Sequence, residues 1–227
     1  MIDLCALIDS IETVVASHKL DKTGTYRRWN ASHEHPQRDP GLNPYGCADA
    51  ANILYTINRF PRQPAERHAW VETLQSLQSE QDGLYHEATH HPIHTTAHCI
   101  AALELFDALP LHPLSALENL HDPGAMTIFL SELNWRNSPW NESHKGAGIY
   151  VSLVLTGNVP LEWQERYFAW LWEEADPQSG FWRKGCIAEE ADNPTAPIFH
   201  HLAGSFHYLF NHEYARQPLR FPQKMID

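Results

Sequence analysis

Positive charge is scarce in this chain. Sixteen Lys and Arg stand against 28 Asp and Glu, a formal charge of −12. Nucleic-acid binding needs a basic stripe, and none is present; anionic membrane surfaces are disfavoured for the same reason. No apolar stretch approaches the ~20 residues of a transmembrane helix. The opening segment MIDLCALIDSIETVVASH lacks the basic start of a signal peptide and is broken by Asp3 and Asp9. Cysteine is sparse: Cys5, Cys47, Cys99 and Cys186 lie far apart without CxxC spacing, so reduced thiols in a cytoplasmic protein are expected. The period-two alternation of β-strands is also missing.

What is present is helical. The 227 residues are 43% hydrophobic, enough to bury a sizeable core. Residues 3–17 put Leu4, Ile8, Ile11 and Val15 on one stripe with acids opposite. Residues 65–79 place Ala69, Trp70, Leu74 and Leu77 similarly, and shorter or Pro-led helices are expected over 124–133 and 161–175. Between them lie segments of another kind: 45–57, 94–106, 144–155 and 200–210, apolar almost all round and rich in Gly, Ala and Ser. Such composition means burial on both faces with close backbone approach. The chain therefore alternates an amphipathic helix with a buried one, four times.

The alternation is an internal repeat. Ala48, Ala97, Ala147 and Ala203 superpose at steps of 49, 50 and 56 residues, and Leu54, Leu103, Leu153 and Leu209 then fall in register. Pro44, Pro92, Pro139 and Pro197 precede the buried helices. Before each stands an aromatic–basic pair: Tyr26-Arg27, Tyr85-His86, Trp135-Arg136 and Trp182-Arg183. Helical hairpins of this length build an α/α toroid, with the buried helices around a central funnel. The run LQSLQSEQDGLYHEATHH followed by HTTAHCIAALEL resembles the repeats of the terpenoid-cyclase and protein-prenyltransferase superfamily, and its Gly-Leu-Tyr-His piece is equally similar to six-hairpin glycosidases. The resemblance implies an all-α fold, an α/α toroid or open arc of about four hairpins in one domain over 1–227. It carries fold rather than chemistry: no cyclase aspartate-rich motif or prenyltransferase zinc set stands in the chain.

The repeat alignment gathers polar residues at the starts of the buried helices. The slot of His94 holds Tyr45, His144 and His200 in the other repeats; the slot of His98, one turn deeper, holds Asp49, Gly148 and Gly204. Asn52, His201 and His207 belong near this level. Superposed repeats would bring Tyr45, His94, His144 and His200 to one rim, with Asp49 and His98 below and the glycines leaving space opposite. Helix N-termini disfavour imidazolium, so these histidines are expected to be neutral bases or hydrogen-bond donors, with Asp49 fixing a tautomer and Tyr45 supplying a phenol. The ordinary alternative is a set of bonded core histidines; burying several polar groups unbonded would cost roughly 1–3 kcal/mol each. His94 and His98 also have the i, i+4 spacing of zinc ligands, with His144 or Asp49 as a further donor. Glu87 and Glu142 sit in rim loops, where an acid pair beside Trp140 or Trp182 would suit glycosidase chemistry; otherwise they are solvated loop charges. Residues 189–193, EEADN, read as an exposed loop. Cys47 and Cys99 read as small core residues. Trp163, Trp170 and Trp172 read as core or inter-hairpin packing, or else as a homodimer face.

The expectation is an enzyme using Tyr45, Asp49, His94, His98, His144 and His200 in acid–base chemistry. Glu87, Trp140, Asn52, His207 and Trp182 would contact a small-molecule or oligosaccharide substrate. The reaction is read as a lyase or hydrolase step on a carbohydrate or polyol, without a cofactor; zinc held by His94, His98 and His144 is the variant. The alternatives are an isoprenoid dehydratase or cyclase in the same pocket and a non-catalytic helical-repeat binding protein.

Overall fold

The computed structural model describes residues 4–187 and 196–227. Among these residues all regular structure is helical: α1 (Leu4–Ser17), α2 (Pro44–Thr56), α3 (Pro64–Ser76), α4 (Pro92–Glu104), α5 (Pro123–Glu132), α6 (Pro139–Leu155), α7 (Leu161–Glu174) and α8 (Ile198–Ala215), with 3-10 turns at Ser115–His121 and Pro222–Met225. The EEADN segment lies outside the described residues. None of the described helices is long and apolar enough to cross a membrane.

Five of the α-helices open with proline. Its fixed φ suits the first helical position, where its missing N–H would find no partner anyway. This is why α6 begins five residues before the buried stretch starting at residue 144. Several starts are also capped: Asn43 accepts from the Gly46 N–H at 2.9 Å, and Asp122 from Ala125 at 2.7 Å, each satisfying an otherwise orphaned donor.

The chain groups into two compact units, 1–115 and 116–227. In the first, α2 packs along α4, with α1 against α2 and α3 against both. Its core joins the small residues Cys47, Ala48, Ala51, Cys99 and Ala102 to Trp70, Tyr85 and Phe106. Trp70 stacks between Tyr26 at 5.1 Å and Phe106 at 5.6 Å. In the second unit, α6 packs along α8, and α7 contacts α5 and α6. Gly204 lets α8 approach α6: a Cβ there would lie 2.8 Å from the Pro139 carbonyl oxygen. The space expected opposite this glycine is thus filled by backbone. Trp163 and Trp170 are buried, with indole N–H bonds to the Leu120 carbonyl and the Ser131 hydroxyl. Trp172 is 40% exposed instead.

The repeat has a structural signature in its turns. Isolated β-bridges pair Lys19 with Tyr26, Gln78 with Tyr85 and Ala175 with Trp182. Each turn carries a left-handed glycine two residues before the aromatic: Gly24 at φ +79°, Gly83 at +75° and Gly180 at +77°, conformations that side chains disfavour. The aromatic is buried in every case, as is Trp135, the corresponding residue of the remaining repeat. Its backbone N–H then reaches the next buried helix: Tyr26 donates to Cys47 Sγ (3.3 Å), Tyr85 to Thr96 Oγ1 (2.9 Å) and Trp182 to Ser205 Oγ (3.0 Å). A small polar atom on the buried helix therefore satisfies a donor that burial would strand. Gln78 completes one turn: its amide donates to the Gly83 and His112 carbonyls and accepts from the His112 N–H, at 2.7–2.8 Å.

Candidate functional site

Tyr45, in the first turn of α2, is the hub of a polar cluster in the first unit. Its hydroxyl lies 3.0 Å from His94 Nε2 on α4. One turn deeper on the same helices, His98 Nε2 lies 2.8 Å from Asp49 Oδ1. The ring of Tyr45 is flanked by His90, nearly parallel at 4.3 Å, and by His98, tilted at 4.3 Å. The Arg28 guanidinium sits 4.4 Å from the centre of the ring, a cation–π distance. Spacing explains the pairing: residues four apart share a helix face, and α2 and α4 turn those faces to each other.

The loops close the cluster. Arg28 Nη1 donates to Thr89 Oγ1 (2.7 Å) and lies 2.8 Å from His90 Nδ1 and 3.5 Å from Glu87 Oε2. Glu87 is no solvated loop charge: its side chain is 2% exposed, and it accepts from the Thr89 hydroxyl at 2.9 Å. His90 Nδ1 also lies 2.7 Å from Glu87 Oε1. That nitrogen takes one role at a time: bare, it accepts from Arg28; protonated, it donates to Glu87.

The electrostatics separate the roles. Burial, reinforced by Asp49, raises Tyr45 to a pKa of about 12, so the phenol stays protonated and is a proton donor. Burial pushes the Glu87 carboxyl up, but hydrogen bonds from Thr89 and His90 outweigh it and hold the group below its usual range. Burial depresses His90, with Arg28 adding to the effect against the opposing pull of Glu87. Asp49 accepts from His98 Nε2–H, which fixes the tautomer with the lone pair on Nδ1.

The second unit holds a different arrangement. His144 packs edge-to-face on His207 at 4.3 Å. Ser143 Oγ donates to the Trp140 carbonyl at 2.6 Å and accepts from His207 Nδ1 at 2.8 Å. Burial lowers His207 to a pKa of about 4, against a raising contribution from the Gly204 backbone. Trp140 is 40% exposed and meets His200 edge-on at 5.9 Å.

Other residues singled out in the sequence are bonded within their own surroundings. Trp182 is 2% exposed, and its indole donates to the Leu171 carbonyl at 2.7 Å; it is a core residue with no face for a ligand. Asn52 bonds back to the Ala48 carbonyl at 2.9 Å. His201 is fully buried, with Nδ1 3.4 Å from the Trp182 carbonyl. Glu142 pairs with Lys145 at 2.6 Å. Cys47 is buried, and desolvation raises its thiol to a pKa of about 11, so it is no nucleophile near neutral pH. Among the described residues no group of three or more His, Cys, Asp or Glu is arranged to hold a metal ion; His98, one of the i, i+4 pair, has its Nε2 committed to Asp49.

Sequence reading missed Arg28, Thr89 and His90. Arg28 directly follows the Tyr26-Arg27 pair, and Thr89 and His90 belong to the polar HEATHH run, so the signal lay in the loops rather than at the helix starts.

Among the described residues the chain is all-helical, with a cluster of titratable side chains centred on Tyr45 between α2 and α4. Comparison with protein families, characterised proteins and solved structures yields no match to this chain.

Proposed function

We propose that the first unit carries an acid–base active site and that the protein is a lyase or hydrolase acting on a carbohydrate or polyol, on hairpins of the α/α-toroid kind. One observation carries this reading: a protonated phenol, Tyr45, packs against an imidazole, His98, that Asp49 orients. In an elimination, His98 Nδ1 takes the proton next to an electron-withdrawing group, the C–O bond on the neighbouring carbon breaks, and Tyr45 gives its proton to the leaving oxygen. The proton held by His98 then returns through water to the Tyr45 phenolate, which resets both groups, while His94 Nε2 positions the Tyr45 hydroxyl. Arg28 offsets negative charge that develops beside the ring.

The test is turnover by the purified full chain on a panel of neutral and acidic oligosaccharides, polyols and isoprenoid diphosphates, with Tyr45→Phe and Asp49→Asn beside wild type. The reading requires activity on the sugars or polyols that both variants lose by about 100-fold or more. Activity confined to isoprenoids, or unchanged in both variants, removes it.

A second reading rests on the closed circuit of Arg28, Glu87, Thr89 and His90. These groups satisfy one another, as they would in a non-catalytic clasp tying two loops to α2 and α4. In that case Tyr45→Phe changes stability and no turnover is found on any substrate.

A further inference from the structure

Residues 198–212 of α8 contain no Asp, Glu, Lys or Arg. Ile198, Leu202, Phe206, Phe210 and Tyr214 stand at four-residue intervals and form one row along the helix, with Phe199 beside it. These six residues are each 45–58% exposed. An exposed helix face ordinarily carries charge; on α7 the exposed positions include Glu162, Glu165, Arg166 and Glu173. The opposite face of α8, with Gly204, Ser205, Tyr208 and Asn211, is buried, and Asn211 donates to the Ala147 carbonyl of α6 at 3.2 Å.

The sister helices bury the positions that α8 exposes. The N–H groups of the buried aromatics set the register: Ser205 on α8 stands where Cys47 and Thr96 stand on α2 and α4. This is three residues later than the alignment on Ala203. The next residue is Ala48 on α2 and Ala97 on α4, both buried, but Phe206 on α8, exposed. Four residues earlier, Pro44 and Ile93 are buried where Leu202 is exposed. The helix thus carries the all-round apolar composition of a buried helix and is covered on one side only.

The size of the bare face fits a subunit contact. Taking about 200 Å² for a side chain of this kind, the six exposed fractions amount to about 600 Å². Trp140, 40% exposed and edge-on to Phe199 at 5.7 Å, extends the patch to about 700 Å². The largest apolar patch of a typical monomer is about 300–600 Å², and each partner in a standard interface contributes about 800 Å². Phe206 and Phe210 already meet edge-to-face at 4.8 Å, so little side-chain freedom is left to lose on docking.

The row is also self-complementary. Rows at four-residue spacing on two helices interdigitate at a crossing angle of about −50°. A two-fold axis at the middle of the row sets Phe206 against Phe206 and Leu202 against Phe210. Each chain carries a net charge of −12, which opposes association, yet this face brings no acid to the contact before Glu213. Selection of an unlike partner relies on charges and hydrogen bonds, which the row does not offer between Ile198 and Phe210.

We propose that this face of α8 docks on the same face of a second copy of the chain, about a two-fold axis near Phe206, giving a homodimer. The surface shares no residue with the acid–base cluster on α2 and α4.

The test is the molar mass of the purified full-length protein by sedimentation equilibrium, read against 26.0 kDa for one chain. Between about 1 and 100 µM the wild type should reach twice that mass, with a dissociation constant at or below about 10 µM. Phe206→Glu and Phe206→Lys each put two like charges on the axis. Each alone should weaken dimerisation by about 100-fold or more, with the helical circular dichroism unchanged because the side chain is exposed. Mixed in equal amounts, the two variants should form a heterodimer, since opposite charges then meet. Leu4→Glu, at an exposed apolar position on α1, should leave the dimer intact. A wild type that stays monomeric at about 100 µM, with or without affinity for lipid vesicles, overturns the proposal. So does a dimer that survives Phe206→Glu, or a mixture of the two variants that stays monomeric.

Discussion

His98 on α4 meets Asp49 on α2 at 2.8 Å, one helical turn below the 3.0 Å contact between His94 and Tyr45 on the same two helices. Two adjacent helices thus present matched pairs at successive levels. The lower pair is partly open, since the Asp49 side chain is 44% exposed and that of His98 23%. Replacing Asp49 therefore tests chemistry more than folding. Asp49→Asn should leave the helical circular dichroism and melting temperature nearly unchanged while lowering turnover on any sugar substrate found by about 100-fold or more; an equal fall in stability and rate would assign the pair to the scaffold.

Gln78 is the clearest structural glutamine. It is 6% exposed, and both ends of its amide are bonded. Gln78→Ala strands the His112 N–H and two carbonyls, and unmet buried groups cost about 1–3 kcal/mol each. Denaturant unfolding should show a loss of about 2–4 kcal/mol. Gln78→Glu keeps the acceptor but loses the donor, so it should not recover the stability.

Two left-handed glycines should respond differently to the same change. Gly83→Ala places a Cβ against the Pro113 carbonyl, which is backbone and cannot step aside, at φ +75°. Gly157→Ala at φ +68° meets nothing within 4 Å. The first should cost about 3 kcal/mol or more and the second about 1 kcal/mol, the conformational penalty alone. Equal losses would mean that the Gly83 turn relaxes freely.

Acid should weaken the second unit before its carboxylates titrate. His207 has its pKa lowered to about 4 from an ordinary 6.5, chiefly by burial. The unfolded chain then binds a proton that the folded one refuses. The stability from this group is complete above pH 6.5, falls as pH drops towards 4, and changes no further below that, a loss of up to about 3 kcal/mol. Burial lowers His201 and His212 in the same direction. Denaturant midpoints at pH 7.5 and 4.5 measure the slope. His207→Asn should flatten it; an unchanged slope would place the acid sensitivity elsewhere.

Local chemistry was legible from the sequence wherever one residue acts on its own neighbourhood. Proline fixes the first turn of a helix by its ring, so Pro44, Pro92 and Pro139 mark α2, α4 and α6 directly. The aromatic–basic pairs at Tyr26, Tyr85 and Trp182 were legible as a repeat, while the left-handed glycines two residues before them, Gly24, Gly83 and Gly180, emerged only in the structure. Tyr45, His94, Asp49 and His98 stood out because helical periodicity puts each pair at matched register. The sequence also suggested that Trp182 and Glu87 were exposed at a rim; one is in the core and the other is held by Arg28 and Thr89.

The sequence by itself determined an all-α chain, because capping, proline geometry and apolar periodicity act over a few residues. Only the tertiary structure decided which polar groups meet. Arg28 reaches Thr89 across 61 residues of chain, and the Trp163 indole reaches the Leu120 carbonyl across 43. Burial and long-range contact set the charge state and bonding of a side chain, and neither is written in the spacing of residues along the chain.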